Sequence, residues 1–298
     1  MPSIPTSTGT SGFPLRAILG VFKLRIGVVI TLTALTGLAV SPGPGLGPLQ
    51  LLVLTLSVLV SSASAGAFNQ YYEYASDRLM SRTSKRPFAT GEIQHGPVWL
   101  LIIVALLILS VAAAWLALNA WSALFVFLGA FFYAVVYTVW LKRRTWMNIV
   151  LGGLAGSWAV LAGASASDPQ LGAVPLSLAL VLFLWTPPHF WSLAIAFRAD
   201  YANAGVPMLP VVVGDEKAAQ AIFLGTLCLV AASMLPLAFG LGVIYLIGAA
   251  LGGLVFIQKA WQLTRRPDRQ SAMSCFHASL LQLTLVLLAA IADAQLAF

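Results

Sequence analysis

The sequence predicts an all-α, polytopic membrane protein with about nine transmembrane helices. Three observations carry that prediction: composition, the length of the apolar runs, and the placement of the basic residues. Of 298 residues, 60% are hydrophobic and only 8% charged, with a mean hydropathy of +0.93. A soluble domain carries about 25% charged residues, and here too little polar material exists to cover a water-facing surface. A secreted or cytosolic globular domain, a disordered chain and a disulfide scaffold are thereby excluded. The two cysteines, Cys228 and Cys275, form no Cys-x-x-Cys, which argues against a structural zinc site or a thioredoxin-like redox motif.

In chain order, residues 1–20 read as a disordered cytoplasmic tail. The Ser/Thr/Pro/Gly-rich start lacks the charged region and small-residue cleavage site of a signal peptide. Residues 21–298 read as a single transmembrane domain. A span needs about 20 mostly apolar residues, and such runs fall at 24–41, 49–73, 96–117, 119–140, 146–166, 173–196, 219–238, 241–259 and 273–294. All 16 lysines and arginines lie at the N-terminus (Arg16, Lys23, Arg25) or in alternate connections: Arg78–Arg86, Lys142–Arg144, Arg198 with Lys217, and Lys259–Arg269. This is a strong positive-inside pattern, which places the N-terminus in the cytoplasm and the C-terminus outside. It also explains the net charge of +7 by topology, with no nucleic-acid partner required. Only Asp168 and Asp293 among the carboxylates fall on the outer side, so the chemistry is expected to face the cytoplasm.

Two polar stretches interrupt the apolar pattern. Asn69, Glu73 and Asp77 step by four, so they share one helix face over ~12 Å. Like charges at this spacing repel. Oxygen ligands so arranged suit Mg²⁺, which takes a few carboxylates together with substrate phosphates. Arg78, Arg82, Lys85 and Arg86 follow at once, as phosphate-binding donors or as an ordinary positive-inside loop. Intramembrane acids are functional by default. The second stretch runs from Trp185 through Pro187, Pro188 and His189 to Arg198 and Asp200. The proline pair predicts a helix break lining a cavity. His189 beside it is either a structural histidine, a haem-iron ligand or a proton carrier. Asp200 would complete the acidic set from another helix, with Arg198 as a further phosphate donor. Lys142, Arg143 and Arg144 alone read as a topology loop, and Gly152, Gly153 and Gly156 after them as close-packing positions.

The motif Asn69-x-x-x-Glu73-x-x-x-Asp77, followed by Met80-x-Arg82-Thr-x-x-Arg86-Pro87, resembles the first aspartate-rich motif of the UbiA-type intramembrane prenyltransferases. The runs Trp140–Gly153 and Trp185–Pro210 resemble the branch of that family that acts on haem. The sequence departs from the pattern at Ala75, at Ala159-Val160 and at Leu24 between Lys23 and Arg25. The resemblance implies helices bundled around a central cavity, and a multi-pass protein of the bacterial cytoplasmic membrane. It implies transfer of a farnesyl group from farnesyl diphosphate to a vinyl group of haem B, with haem O and diphosphate as products. A haem A synthase would be the partner downstream. It further implies Mg²⁺ held by Asn69, Glu73, Asp77 and Asp200, and diphosphate held by Arg82, Lys85, Arg86, Lys142, Arg143 and Arg198. The haem contacts would be His189 and Trp185, and Tyr72 or Trp185 could face the allylic cation.

The nearest alternative is a sister prenyltransferase acting on a quinone precursor, which would not need the Trp185–Trp191 stretch. A transporter with a cytoplasm-facing acidic site is the rival from another class, although no inverted repeat is visible. A haem-binding subunit without catalysis would more naturally carry paired histidines inside the bilayer.

Overall fold

The computed structural model describes residues 15–296, among which all regular structure is helical. Helix α1 (Leu15–Val21) joins α2 (Leu24–Ala39) through a 46° bend. The hinge is Lys23, held in the left-handed region at φ 48°. Of the expected N-terminal tail, residues 1–14 lie outside the described residues, and 15–20 are helical rather than disordered. The chain continues through α3 (Pro48–Asp77), the short α4 (Pro87–Thr90), α5 (Pro97–Ala117) and α6 (Ala120–Phe131). A π-helix (Phe132–Leu141) extends α6, followed by α7 (Asn148–Gly152), α8 (Leu154–Ser167) and α9 (Ala173–Ala196). Next come α10 (Arg198–Asn203), α11 (Leu209–Val213), α12 (Asp215–Ala232) and α13 (Leu235–Ala238). Two long helices, α14 (Val243–Arg265) and α15 (Arg269–Leu296), close the described chain. Among the described residues eight helices, counting continuations across short breaks, are long and apolar enough to span a membrane, and there are nine if the bent α1–α2 pair is taken as one span.

The spans pack as a ring. Each neighbours the next from α2 and α3 through α5, α6, α8, α9, α12 and α14, and α15 returns to pack on α2. Lipid supplies no hydrophobic drive between helices, so close backbone approach through small residues must hold them together. The α2–α8 contact is built that way. A Cβ on Gly37 would meet the backbone of Val160, and one on Gly163 that of Ala34. A Cβ on Gly152 would come within 2.9 Å of the Tyr137 ring, and one on Gly153 within 2.8 Å of Thr186. Gly156, expected to be a packing position too, faces open space. Asp293 on α15 caps the start of α14, accepting from the backbone N–H groups of Gly242, Ile244 and Tyr245.

The proline pair does not break its helix. Helix α9 runs unbroken through Pro187 and Pro188 to Ala196 and is the most buried of the spans. Neighbouring helices hold it straight enough to continue, as transmembrane helices tolerate. Pro188 itself packs so closely on α12 that a Cβ at Gly225 would sit 3.0 Å from its ring.

Candidate active site

The acid column stands on the last turns of α3, just after the buried small residues Ala63–Ala67. Asn69, Glu73 and Asp77 are all buried, at 2%, 4% and 2% exposure. Their mutual repulsion is relieved by resident cations. Glu73 Oε2 accepts from Lys142 Nζ at 2.6 Å and from Asn69 Nδ2 at 2.8 Å. Asn69 Oδ1 in turn accepts from Lys23 Nζ at 2.7 Å. One turn on, a single guanidinium nitrogen of Arg86 bridges both oxygens of Asp77, at 2.9 and 2.8 Å. The result is a hydrogen-bonded chain from Lys23 through Asn69 and Glu73 to Lys142, with the Asp77–Arg86 pair one turn further on.

The π-helix positions the second wall. Its wide turn shows in the bonds spanning five residues, from Thr138 Oγ1 to the Tyr133 carbonyl and from Lys142 N to the Tyr137 carbonyl. Such turns concentrate at functional sites. Here the turn brings Thr138 to Asn69 Nδ2 (3.1 Å), the Tyr133 hydroxyl to Lys23 Nζ (3.1 Å) and the Tyr137 ring under the Lys142 ammonium. The sequence assigns no site role to Lys23, Tyr133, Tyr137 or Thr138. A lysine at the start of an apolar span signals topology alone, and a π-turn leaves no mark in hydropathy. Tyr72, expected as a candidate cation-facing ring, is half exposed and stacks on Phe68 instead.

The remaining candidates divide. Asp200, at the start of α10, accepts from Ser81 Oγ at 2.6 Å and so lies against the loop that follows Asp77. Arg198 turns away, pairing with Asp215 at 3.3 Å beside a recess of about 360 Å³ that also holds Glu216 and Lys217. That recess is peripheral, and none of the acid column lines it. Arg82, Lys85 and Arg143 are exposed, without an ion-pair partner among the described residues. Among the same residues no three acidic, histidine or cysteine side chains converge as a ready cation cage. Mg²⁺ nevertheless needs only one or two carboxylates when substrate phosphates complete its shell. The hard oxygen donors of Glu73, Asp77, Asn69 and Asp200 fit that requirement in type and number.

His189 occupies a different setting from the one expected. It is 6% exposed, inside the continuous α9, with its ring stacked on Trp185 (centroids 4.1 Å) and on Phe276 of α15 (4.5 Å). Its Nδ1 lies 2.7 Å from Ser279 Oγ, while the Trp185 indole N–H donates to the Ser279 carbonyl at 2.8 Å. Trp185 and His189 thus grip one turn of α15 rather than lining a broken helix.

A lipid-embedded helical bundle with acids and cations massed at one end is the build of a membrane enzyme for an apolar substrate with an anionic head. The chain belongs to the UbiA prenyltransferase family, whose model matches residues 30–283. It is 54% identical over 285 residues to protoheme IX farnesyltransferase 2 of Paramagnetospirillum magneticum, covering 95% of this chain and 98% of that protein. Its fold is similar to that of a digeranylgeranylglyceryl phosphate synthase, with a TM-score of 0.77 at 21% identity over 94% of this chain and 98% of the other. A UbiA homolog from Archaeoglobus fulgidus, bound to GPP and Mg²⁺, matches with a TM-score of 0.70 at 19% identity, over 93% and 99% of the two chains.

Proposed function

We propose that this prenyltransferase moves a farnesyl group from farnesyl diphosphate to the terminal carbon of a vinyl group of protohaem IX, while water adds its hydroxyl to the other vinyl carbon and releases a proton, giving haem O and diphosphate. The observation that carries the reading is the near-full-length identity to a protoheme IX farnesyltransferase. The chemistry available in the site supports it. Breaking the allylic C–O bond leaves both bonding electrons on the diphosphate, so catalysis requires positive charge where that negative charge grows. Lys142 and Arg86 supply it inside the site, with Lys23 beside them as a further hydrogen-bond donor. Arg82, Lys85 and Arg143 stand free to meet the diphosphate as it enters. Mg²⁺, held by Asn69, Glu73, Asp77 and Asp200, would neutralise further charge on the leaving group. Until it has bonded to the vinyl carbon, the prenyl cation needs a dry pocket with aromatic faces. Tyr137, beside Lys142, and Tyr133, beside Lys23, lie against the charged column.

On this reading residues 21–298 form one catalytic domain in the bacterial cytoplasmic membrane, N-terminus inside and active site facing the cytoplasm. Trp185 and His189 serve the haem end. The test is the haem extracted from membranes of cells expressing the protein. A more hydrophobic species carrying the added mass of a farnesyl and a hydroxyl group is expected. Unaltered protohaem alongside a prenylated quinone precursor would overturn the acceptor assignment.

A further inference from the structure

The short contact between Ser279 and a backbone carbonyl sets the direction of the hydrogen bonds around His189. Ser279 Oγ lies 2.6 Å from the Phe276 carbonyl and 2.7 Å from His189 Nδ1. Two oxygens 2.6 Å apart repel unless a proton lies between them, and a carbonyl has none to give, so the hydroxyl proton of Ser279 points to Phe276. The Ser279 oxygen must then accept, and His189 must be the donor through Nδ1–H. Trp185 and Phe276 both lie nearly parallel to the imidazole, at 20° and 26°. Two rings cannot share one face at those distances, so both faces are covered. The ring can act only through its edge, and on that edge Nε2 has no hydrogen-bond partner among the described residues. Which nitrogen of a histidine is free is set by the bond that the other one makes.

We propose that Ser279 is a positioning residue, which holds His189 as the Nδ1–H tautomer and so presents the Nε2 lone pair to the iron of the porphyrin acceptor. This rests on the reading that His189 serves the haem end. Ser279 is itself fixed, fully buried and bonded a second time where Trp185 Nε1 donates to its carbonyl. The grip on α15 thereby sets both the rotation and the proton of the imidazole.

The first measurement is ¹⁵N NMR of histidine-labelled, haem-free protein in nanodiscs, with His189 assigned by difference from His189→Gln. The expected spectrum shows His189 protonated at Nδ1, and Ser279→Ala shifts the signal toward the Nε2–H form. An Nε2–H ring in the unaltered protein overturns the proposal, as does a tautomer indifferent to Ser279→Ala. The second measurement is haem binding by optical titration, alongside farnesyl diphosphate binding. Loss of such an outer partner typically weakens a metal bond about 10–100-fold. Ser279→Ala should therefore weaken haem binding by about that factor and alter the haem spectrum, with farnesyl diphosphate binding unchanged and Ser279→Thr restoring both haem properties. A shifted tautomer with unaltered haem binding overturns the role assigned to it. If instead His189→Gln binds haem as the unaltered protein does, the acceptor reading of His189 fails, while the NMR result still decides what Ser279 does to the ring.

Discussion

Replacing Lys142 with methionine leaves Glu73 charged at a side chain only 4% exposed, with Asn69 Nδ2 as its one remaining hydrogen-bond donor. Removing one partner of a buried ion pair costs about 3–5 kcal/mol, because the other charge stays buried without compensation. The lower end applies here, about 3 kcal/mol, since Lys142 keeps 12% exposure and Asn69 still reaches the carboxylate. Glu73→Gln creates the mirror problem by leaving the Lys142 ammonium without its anion. The double variant removes both charges, and a buried pair replaced by neutral groups is often close to neutral in stability. The cycle should therefore be strongly non-additive, with the double variant costing less than either single one. Unfolding titrations in mixed micelles measure all four corners. Single variants within about 1 kcal/mol of the parent, or costs that simply add, would refute the claim that these two side chains neutralise each other in a dry site.

Arg86→Ala should weaken farnesyl diphosphate binding by about 1.5–3 kcal/mol, the worth of a hydrogen bond to a charged group. An unchanged Kd by calorimetry would return Arg86 to a purely structural role beside Asp77. Asp77→Asn should leave the chain folded yet lower turnover by orders of magnitude, because an amide is a weak ligand for a hard cation. Near-parental turnover at saturating Mg²⁺ would remove Asp77 from the site. Gly163→Ala drives a methyl into the Ala34 backbone and should cost about 1–3 kcal/mol. Gly156→Ala meets nothing within 4 Å and should leave stability unchanged or raise it by up to about 1 kcal/mol. Equal melting behaviour of the two alanine variants would contradict the close α2–α8 approach.

Much of this arrangement is legible in the residues alone. The spans follow from apolar runs long enough to cross lipid, and α5 and α9 lie within a residue of the expected limits. The acid column follows from a spacing of four, which any α-helix turns into one face. Partnerships are less visible, because they depend on which helices meet. Arg198 carries the right charge at the right end of α9, yet Asp215 claims it. Arg86 and Lys142 are found on the acids themselves rather than waiting for a ligand. The proline pair misleads for the same reason. Propensity argues for a break, and packing against α12 and α15 overrides it. Lys23 is hidden most deeply, since only the bend between α1 and α2 turns its side chain inward to Asn69.

The central claim is that one end of the site handles the prenyl diphosphate and another the porphyrin. It is tested most directly by measuring both affinities in Glu73→Gln and His189→Ala, side by side in the same nanodiscs. The two variants should fail in opposite ways. Glu73→Gln loses Mg²⁺-dependent binding of farnesyl diphosphate and keeps haem, while His189→Ala keeps farnesyl diphosphate and loses haem affinity or its spectrum. If His189→Ala loses donor binding as severely as Glu73→Gln while haem binding stays intact, the histidine belongs to the diphosphate end and the division is contradicted.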